Sequence, residues 1–302
     1  MKVIVAKNSG FCNGVRRSVD LANKASEKNI KTYTLGPLVH NPTQVKMLEK
    51  KGASVVDENE VLKIKNSQIV IRSHGVSEKL KENLKNNSNE VVDATCPVLL
   101  NIYKKIIEKE KEGYTVVIIG DKEHPEIKAM ASYVNNGIII KDETEAKNIT
   151  NMSKLYVVSQ TTNRIDFFEN IAHELEKTND DVVIENTICN ATRLRQEACK
   201  SLSKEVDCMI VVGGFNSSNT NKLYQIAQKY CENVQRIETV KDLPLQKLSN
   251  FNIIGVIAGA STPDQVIEEV VNRMDDLTNE ELMNSIEDSM KKIYPRDVVN
   301  GT

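Results

Sequence analysis

Residues 2–12 read KVIVAKNSGFC, an apolar strand-like run ending at a cysteine, and NGVRRSVDLA (13–22) continues as an amphipathic helix. The same order recurs in EVVDATCPVLLNIYKKI (90–106) and in DVVIENTICNATRLRQEACKSL (181–202). Cys12, Cys96 and Cys189 thus stand 84 and 93 residues apart, each where a strand gives way to a helix. A thiol at a helix N-terminus meets unpaired N–H groups and the positive end of the macrodipole. Both bias it towards thiolate, the form that binds metal.

Between these points apolar, β-branched runs alternate with helical patterns, which predicts βαβ units and parallel sheets. One set comprises YTLGPLVHNP (33–42), ASVVDENEV (53–61), SQIVIRSHGV (67–76) and NEVVDATC (89–96). A second comprises YTVVIIGDKEHPE (114–126), NNGIIIKDETEA (135–146), SKLYVVSQTT (153–162) and DVVIENTIC (181–189). A third has DCMIVVGGFNSSNT (207–220), NVQRIETVKDL (233–243) and FNIIGVIAGAST (251–262), and lacks a strand ending in cysteine. Only residues 2–12 remain to supply it. The expected fold is α/β, a trefoil of three similar small domains with mostly parallel sheets: 14–96, 97–191, and 1–13 with 192–281. The period suits a small domain rather than a solenoid repeat.

Composition sets the compartment. The 302 residues are 40% hydrophobic and 27% charged, with 40 basic against 42 acidic side chains and a net charge of −2. Nothing global marks a nucleic-acid or membrane-surface binder. The start, MKVIVAKNSG, lacks a signal-peptide pattern, and the longest apolar stretch, IIGVIAGA from Ile253, is too short to span a bilayer. A cytoplasmic protein is expected. Six cysteines without close pairing do not form a disulfide framework.

Ligands in open α/β sheets bind beyond the carboxyl ends of strands. Loops there carry His40 and His74 in the first unit; His124, Glu126, Thr161 and Thr162 in the second; and Ser217, Ser218, Asn219, Ser261 and Thr262 in the third. Three of the four histidines fall among them, whereas His173 lies within a helical pattern and reads as a surface residue. Strands ending SVVD, IIIKD and QRIET carry no such cluster and suit sheet edges. Three domains facing one another would aim three cysteines at a common centre.

Three thiolates are one short of a closed zinc or iron-sulfur site. A 4Fe-4S cluster with three protein ligands leaves one iron open as a Lewis acid. Neutral hydrogen-bonding side chains beside helix N-termini, two His with Ser-Ser-Asn and Ser, make a diphosphate cradle without a basic run, and Thr162 is a further candidate for substrate binding. Glu126, in a loop with His124 and near Thr161, is a candidate proton source. Cys199, Cys208 and Cys231 read as buried hydrophobes.

GFCNGVRRSV, GPLVHNP, RSHGV, DATCP, GDKEHPE, SQTT, ICNATRLRQ, NSSNT and GASTPD together resemble the 4-hydroxy-3-methylbut-2-enyl diphosphate reductases of the non-mevalonate isoprenoid pathway, over roughly residues 1 to 280. The resemblance implies a central 4Fe-4S cluster on Cys12, Cys96 and Cys189. It implies diphosphate binding by His40, His74, Ser217, Ser218, Asn219 and Ser261, with His124, Glu126 and Thr161 handling the allylic hydroxyl and its proton. It further implies reduction to isopentenyl and dimethylallyl diphosphate, with electrons from ferredoxin or flavodoxin. Phe215 departs from the pattern, since the family usually has Lys there. Arg16 and Arg17 form a helix face that could meet the electron donor. Alternatives are a non-redox 4Fe-4S dehydratase of the quinolinate-synthase type and a non-catalytic iron-sulfur sensor.

The tail, 282–302, ends in KKIYPRDVVNGT, which resembles the lead-in to an S1-type RNA-binding repeat, with Arg296 in place of Gly. An RNA partner is expected only if such a domain follows.

Overall fold

Each apolar, β-branched run named above becomes a strand, and the patterns between them become helices. The computed structural model describes residues 1–28, 30–39 and 42–277, so His40 and the tail beyond 281 lie outside the described residues. The chain opens with β1 (Lys2–Val5) and α1 (Asn13–Ser26). Next come β2 (Thr32–Leu35), α2 (Pro42–Lys50), β3 (Ala53–Val56), α3 (Glu58–Val61), β4 (Gln68–Ile71), α4 (Glu78–Asn86) and β5 (Glu90–Asp93). The middle third holds α5 (Pro97–Lys111), β6 (Thr115–Ile119), α6 (Pro125–Ala131), β7 (Ile138–Ile140), α7 (Glu143–Lys147), β8 (Leu155–Ser159), α8 (Ile165–Thr178) and β9 (Val182–Ile184). The last third holds α9 (Asn190–Leu202), β10 (Cys208–Val212), α10 (Ser218–Tyr230), β11 (Asn233–Ile237), α11 (Leu245–Leu248) and β12 (Ile253–Ala258), and residues 264–277 are helical.

The strands form three four-stranded sheets ordered β3-β2-β4-β5, β7-β6-β8-β9 and β11-β10-β12-β1. All their pairings are parallel. The order is the same in each sheet once β1 takes the place held elsewhere by β5 and β9. Its register beside β12, with Lys2 opposite Ile253 and Val5 opposite Val256, closes the third domain with the start of the chain. The three strands without polar clusters, β3, β7 and β11, are sheet edges.

Alternation of side chains gives each sheet two buried faces. In the second sheet Val116, Ile118, Tyr156 and Val158 pack on one side with Leu99, Ile102 and Ile106 of α5. Val117, Ile119, Leu155 and Val157 pack on the other with Phe168, Ile171 and Leu175 of α8. Strands covered on both faces need continuous apolar runs, which is why VVII and LYVV show no polar alternation. Ile118 is fully buried, so trimming it to Ala would cost about 2–5 kcal/mol.

Local chemistry sets the helix starts. Asp57, Ser77 and Asp142 accept backbone N–H groups of α3, α4 and α7, each cap contributing about 1 kcal/mol. α1 buries Val19, Ala22 and Ala25 on the side facing the first sheet.

The seams between domains differ in kind. Tyr103 and Tyr133 stack at 4.3 Å, and their hydroxyls donate to the carbonyls of His74 (3.3 Å) and Val76 (3.4 Å), so a ring pair of the second domain clamps a loop of the first. Gly75 between them has φ +74°, and a Cβ there would stand 2.5 Å from the Tyr103 hydroxyl. Lys222 donates to Asn163 (3.1 Å) and Lys229 pairs with Asp166 (2.7 Å) between the third and second domains. Arg16 of α1 pairs with Asp264 at 2.8 Å, and Arg17 donates to the Thr95 carbonyl at 3.3 Å.

Candidate active site

Cys12, Cys96 and Cys189 are the N-caps of α1, α5 and α9. One backbone bond recurs beside each: Cys12 N–H donates to Ala260 O (3.2 Å), Cys96 N–H to Ser73 O (3.0 Å) and Cys189 N–H to Thr161 O (3.1 Å). Each acceptor lies two residues beyond the strand next to the one that carries the cysteine. In all three domains the thiol loop is therefore tied to the polar loop of its own sheet. The three loops meet at a cavity of about 790 Å³, part of it open to solvent.

The thiols share this cavity. A Cβ on Gly14 would stand 2.7 Å from Cys96 Sγ and 3.9 Å from Cys12 Sγ, so α1 can approach both sulfurs only because residue 14 is glycine. Cys12 and Cys189 accept N–H groups of Val15 and Thr192, both at 3.4 Å, and Thr192 Oγ1 lies 3.0 Å from Cys189 Sγ. The expected thiolate bias is overturned for two of the three. Burial pushes the Cys96 and Cys189 thiols up, and backbone N–H groups only partly offset it. Cys199, Cys208 and Cys231 are buried in the third domain's core, away from the cavity.

Glu126 lies on a helix rather than in a loop, whereas His124 is in the loop that leads into it. Pro125, with its fixed φ, starts α6, His124 caps it by accepting Glu126 N–H at Nδ1 (3.2 Å), and Glu126 sits in the first turn. Glu126 is 1% exposed. Its carboxyl accepts both the Thr161 N–H (2.6 Å) and the Thr161 hydroxyl (2.8 Å). Burial pushes this carboxyl up to about 7 despite those two bonds. His74 meets His124 edge-on, with ring centroids 5.4 Å apart.

At the same cavity Ser217 caps α10 and lies 3.5 Å, Oγ to Oγ, from Ser261. Ser218 and Thr162 hydroxyls are 3.0 Å apart, and Gln160 donates to both. Asn219 is 4% exposed, and neither its amide nitrogen nor its oxygen has a partner. Thr262 instead donates to Val212 O and is not among the cavity residues. Phe215 carries the Arg236 guanidinium over its ring at 4.6 Å, so a cation is still held beside this loop. His173 is on the surface, 3.7 Å from Glu176.

A family model described as LytB protein matches residues 3–275. The chain belongs to the LytB family. It is 42% identical over 285 residues to the 4-hydroxy-3-methylbut-2-enyl diphosphate reductase of Caldanaerobacter subterraneus subsp. tengcongensis, covering 93% of this chain and 99% of that one. A solved structure of (E)-4-hydroxy-3-methyl-but-2-enyl diphosphate reductase, 37% identical, superposes with a TM-score of 0.70 over 91% of this chain and all of that one. The E-1-hydroxy-2-methyl-but-2-enyl-4-diphosphate reductase of Plasmodium falciparum, 29% identical, superposes with a TM-score of 0.83 over 90% and 87%. This LytB-family chain is an oxidoreductase of trefoil architecture. Among the described residues no helix is long and apolar enough to cross a membrane.

Sequence reasoning passed over Gln160 and Arg195, which both belong with the site. SQTT contained the first signal, a glutamine between strand end and threonines. Nothing in ATRLRQ distinguishes the buried Arg195 from Arg193, whose side chain is 48% exposed.

Proposed function

We propose that this chain reduces 4-hydroxy-3-methylbut-2-enyl diphosphate to isopentenyl and dimethylallyl diphosphate at a 4Fe-4S cluster held by Cys12, Cys96 and Cys189. The observation that carries the reading is the meeting of three thiols, one buried carboxyl near neutral pKa and an unpartnered amide in one cavity. The donor set fits the cluster. Among the described residues no three His, Cys, Asp or Glu side chains close around a point as for a single ion. Ligands that each take a different iron of a cluster need no such closure.

The reaction consumes two electrons and two protons: the allylic C–O bond breaks, the oxygen leaves as water, and carbon gains one hydrogen. When bound, the cluster supplies the electrons one at a time and a Lewis-acidic iron that no cysteine occupies. A one-electron protein donor of the ferredoxin or flavodoxin class would recharge it.

The residues of the chain supply binding and protons. Ser217, Ser218, Ser261 and the Asn219 amide offer neutral donors beside the N-terminus of α10, which suits a diphosphate. His74 and His124 adjoin them at the cavity, and we assign His40 to the same set by its family motif. Protonated Glu126 can donate to Thr161 Oγ1, and the Thr161 hydroxyl then turns its own proton towards the cavity. A carboxyl near pKa 7 is half protonated at neutral pH, so the proton is available without acid.

The test is anaerobic turnover. Iron- and sulfide-loaded protein with reduced methyl viologen should convert the hydroxylated diphosphate to both isomeric products. Substrate recovered unchanged from cluster-replete protein, or converted without consumption of reductant, would reject the reading.

A further inference from the structure

Arg195 is 2% exposed, lines the cavity and forms no ion pair with a carboxylate among the described residues. A buried cation without an anion is costly, so a chain that keeps one calls for a negative partner that binds later. Its hydrogen bonds say where. One guanidinium nitrogen donates across to Gly10 O at 2.7 Å, two residues before Cys12, and the other to Ala191 O at 3.1 Å, one turn back on α9, the helix that Cys189 caps. The third nitrogen, Nε, is buried with no partner. The charge acts on Cys12 and Cys189 and on no carboxylate.

We propose that Arg195 is a positioning and charge-compensating residue for the cluster, tying the Cys12 loop to the helix that Cys189 caps and raising the reduction potential of the group these cysteines hold. The proposal rests on the cluster reading above. A 4Fe-4S core in its resting state with three thiolates carries net negative charge, and reduction adds another. A fixed guanidinium stabilises the reduced state more than the oxidised one, and its free N–H can meet a sulfur. Both effects raise the potential. In the metal-free protein two carbonyls offset only part of the burial of this charge, so Arg195 weakens the empty fold while favouring the loaded one.

Arg195→Gln and Arg195→Lys proteins would be loaded with iron and sulfide anaerobically, analysed for both elements and titrated electrochemically with EPR detection. Their metal-free forms would be unfolded in urea. In Arg195→Gln the reduced state should lose at least tenfold in relative stability, a fall of about 59 mV for a one-electron couple. Arg195→Lys keeps the charge but cannot reproduce the two-nitrogen hold on Gly10 O and Ala191 O, so it should stay within a few-fold of the wild-type couple while losing iron faster to a chelator. The metal-free Arg195→Gln protein should be at least as stable as wild type.

A fully loaded Arg195→Gln protein with the wild-type potential would overturn the proposal, and so would a lysine variant shifted as far as the glutamine one. If Arg195→Gln takes up no cluster, unfolding decides: undiminished metal-free stability supports the proposal, and reduced stability assigns Arg195 to the fold alone. Wild-type protein that takes up no iron and sulfide would instead refute the cluster reading.

Discussion

Glu126 and Thr161 hold each other twice: one carboxyl oxygen accepts the Thr161 backbone N–H at 2.6 Å, and the other lies 2.8 Å from the Thr161 hydroxyl. The pair joins the first turn of α6 to the loop after β8, and that loop also receives the Cys189 N–H. The carboxyl proposed above as the proton source is thus tied through Thr161 to the Cys189 loop, and it is buried deeply enough to keep a proton near neutrality.

Glu126→Gln preserves shape and burial but removes the transferable proton. Turnover should fall by about a hundredfold or more, with iron content and pyrophosphate affinity unchanged. Near-native turnover in a cluster-replete variant would shift the acid role to His124.

The same carboxyl makes stability depend on pH with a definite sign. Its pKa rises from 4.5 to about 7 on folding, so the folded chain holds this proton more tightly than the unfolded one. The contribution is intact below about pH 4.5, is lost as pH rises towards 7, and then levels off. The loss amounts to about 3 kcal/mol. Urea unfolding of metal-free wild type and Glu126→Gln across this range should show the variant gaining relative stability up to neutrality. A constant difference would contradict the burial of a titrating carboxyl.

Asn219 keeps an amide buried without a protein partner. Asn219→Ala should leave metal-free stability unchanged or raise it by about 1 kcal/mol, because no hydrogen bond is lost and a desolvation cost is removed. Pyrophosphate affinity by calorimetry should fall about tenfold. A destabilised variant with intact affinity would make the residue structural.

Most of the architecture was legible in the sequence because buried parallel strands need uninterrupted apolar runs. VVII, LYVV and CMIVV could be little else, and KVIV was the one run left to complete a third sheet. The cysteine register was legible for the same reason, as each thiol follows a strand end. What was hidden depends on packing across domains. Glu126 lies in a helix because Pro125 and His124 start one, and its raised pKa comes from burial that no local pattern announces. Burial likewise overturns the thiolate bias read from the helix N-termini at Cys96 and Cys189.

The cysteines should separate into two classes. Ser at Cys12, Cys96 or Cys189 should remove most bound iron, because an alkoxide is a poor substitute for thiolate on iron. Ser at Cys199, Cys208 or Cys231 should leave iron in place and destabilise the metal-free fold by about 1–3 kcal/mol, since a hydroxyl enters an apolar core. Equal iron losses in both sets would contradict the threefold register.

Mössbauer spectroscopy of the anaerobically loaded protein reads the open iron itself. With three cysteines holding the cluster, about three quarters of the iron should fall in one class and about one quarter in another, and the hydroxylated diphosphate should perturb the minor class alone. Four equivalent irons, or a spectrum indifferent to the diphosphate, would contradict a cluster held by Cys12, Cys96 and Cys189 with its fourth position open to substrate.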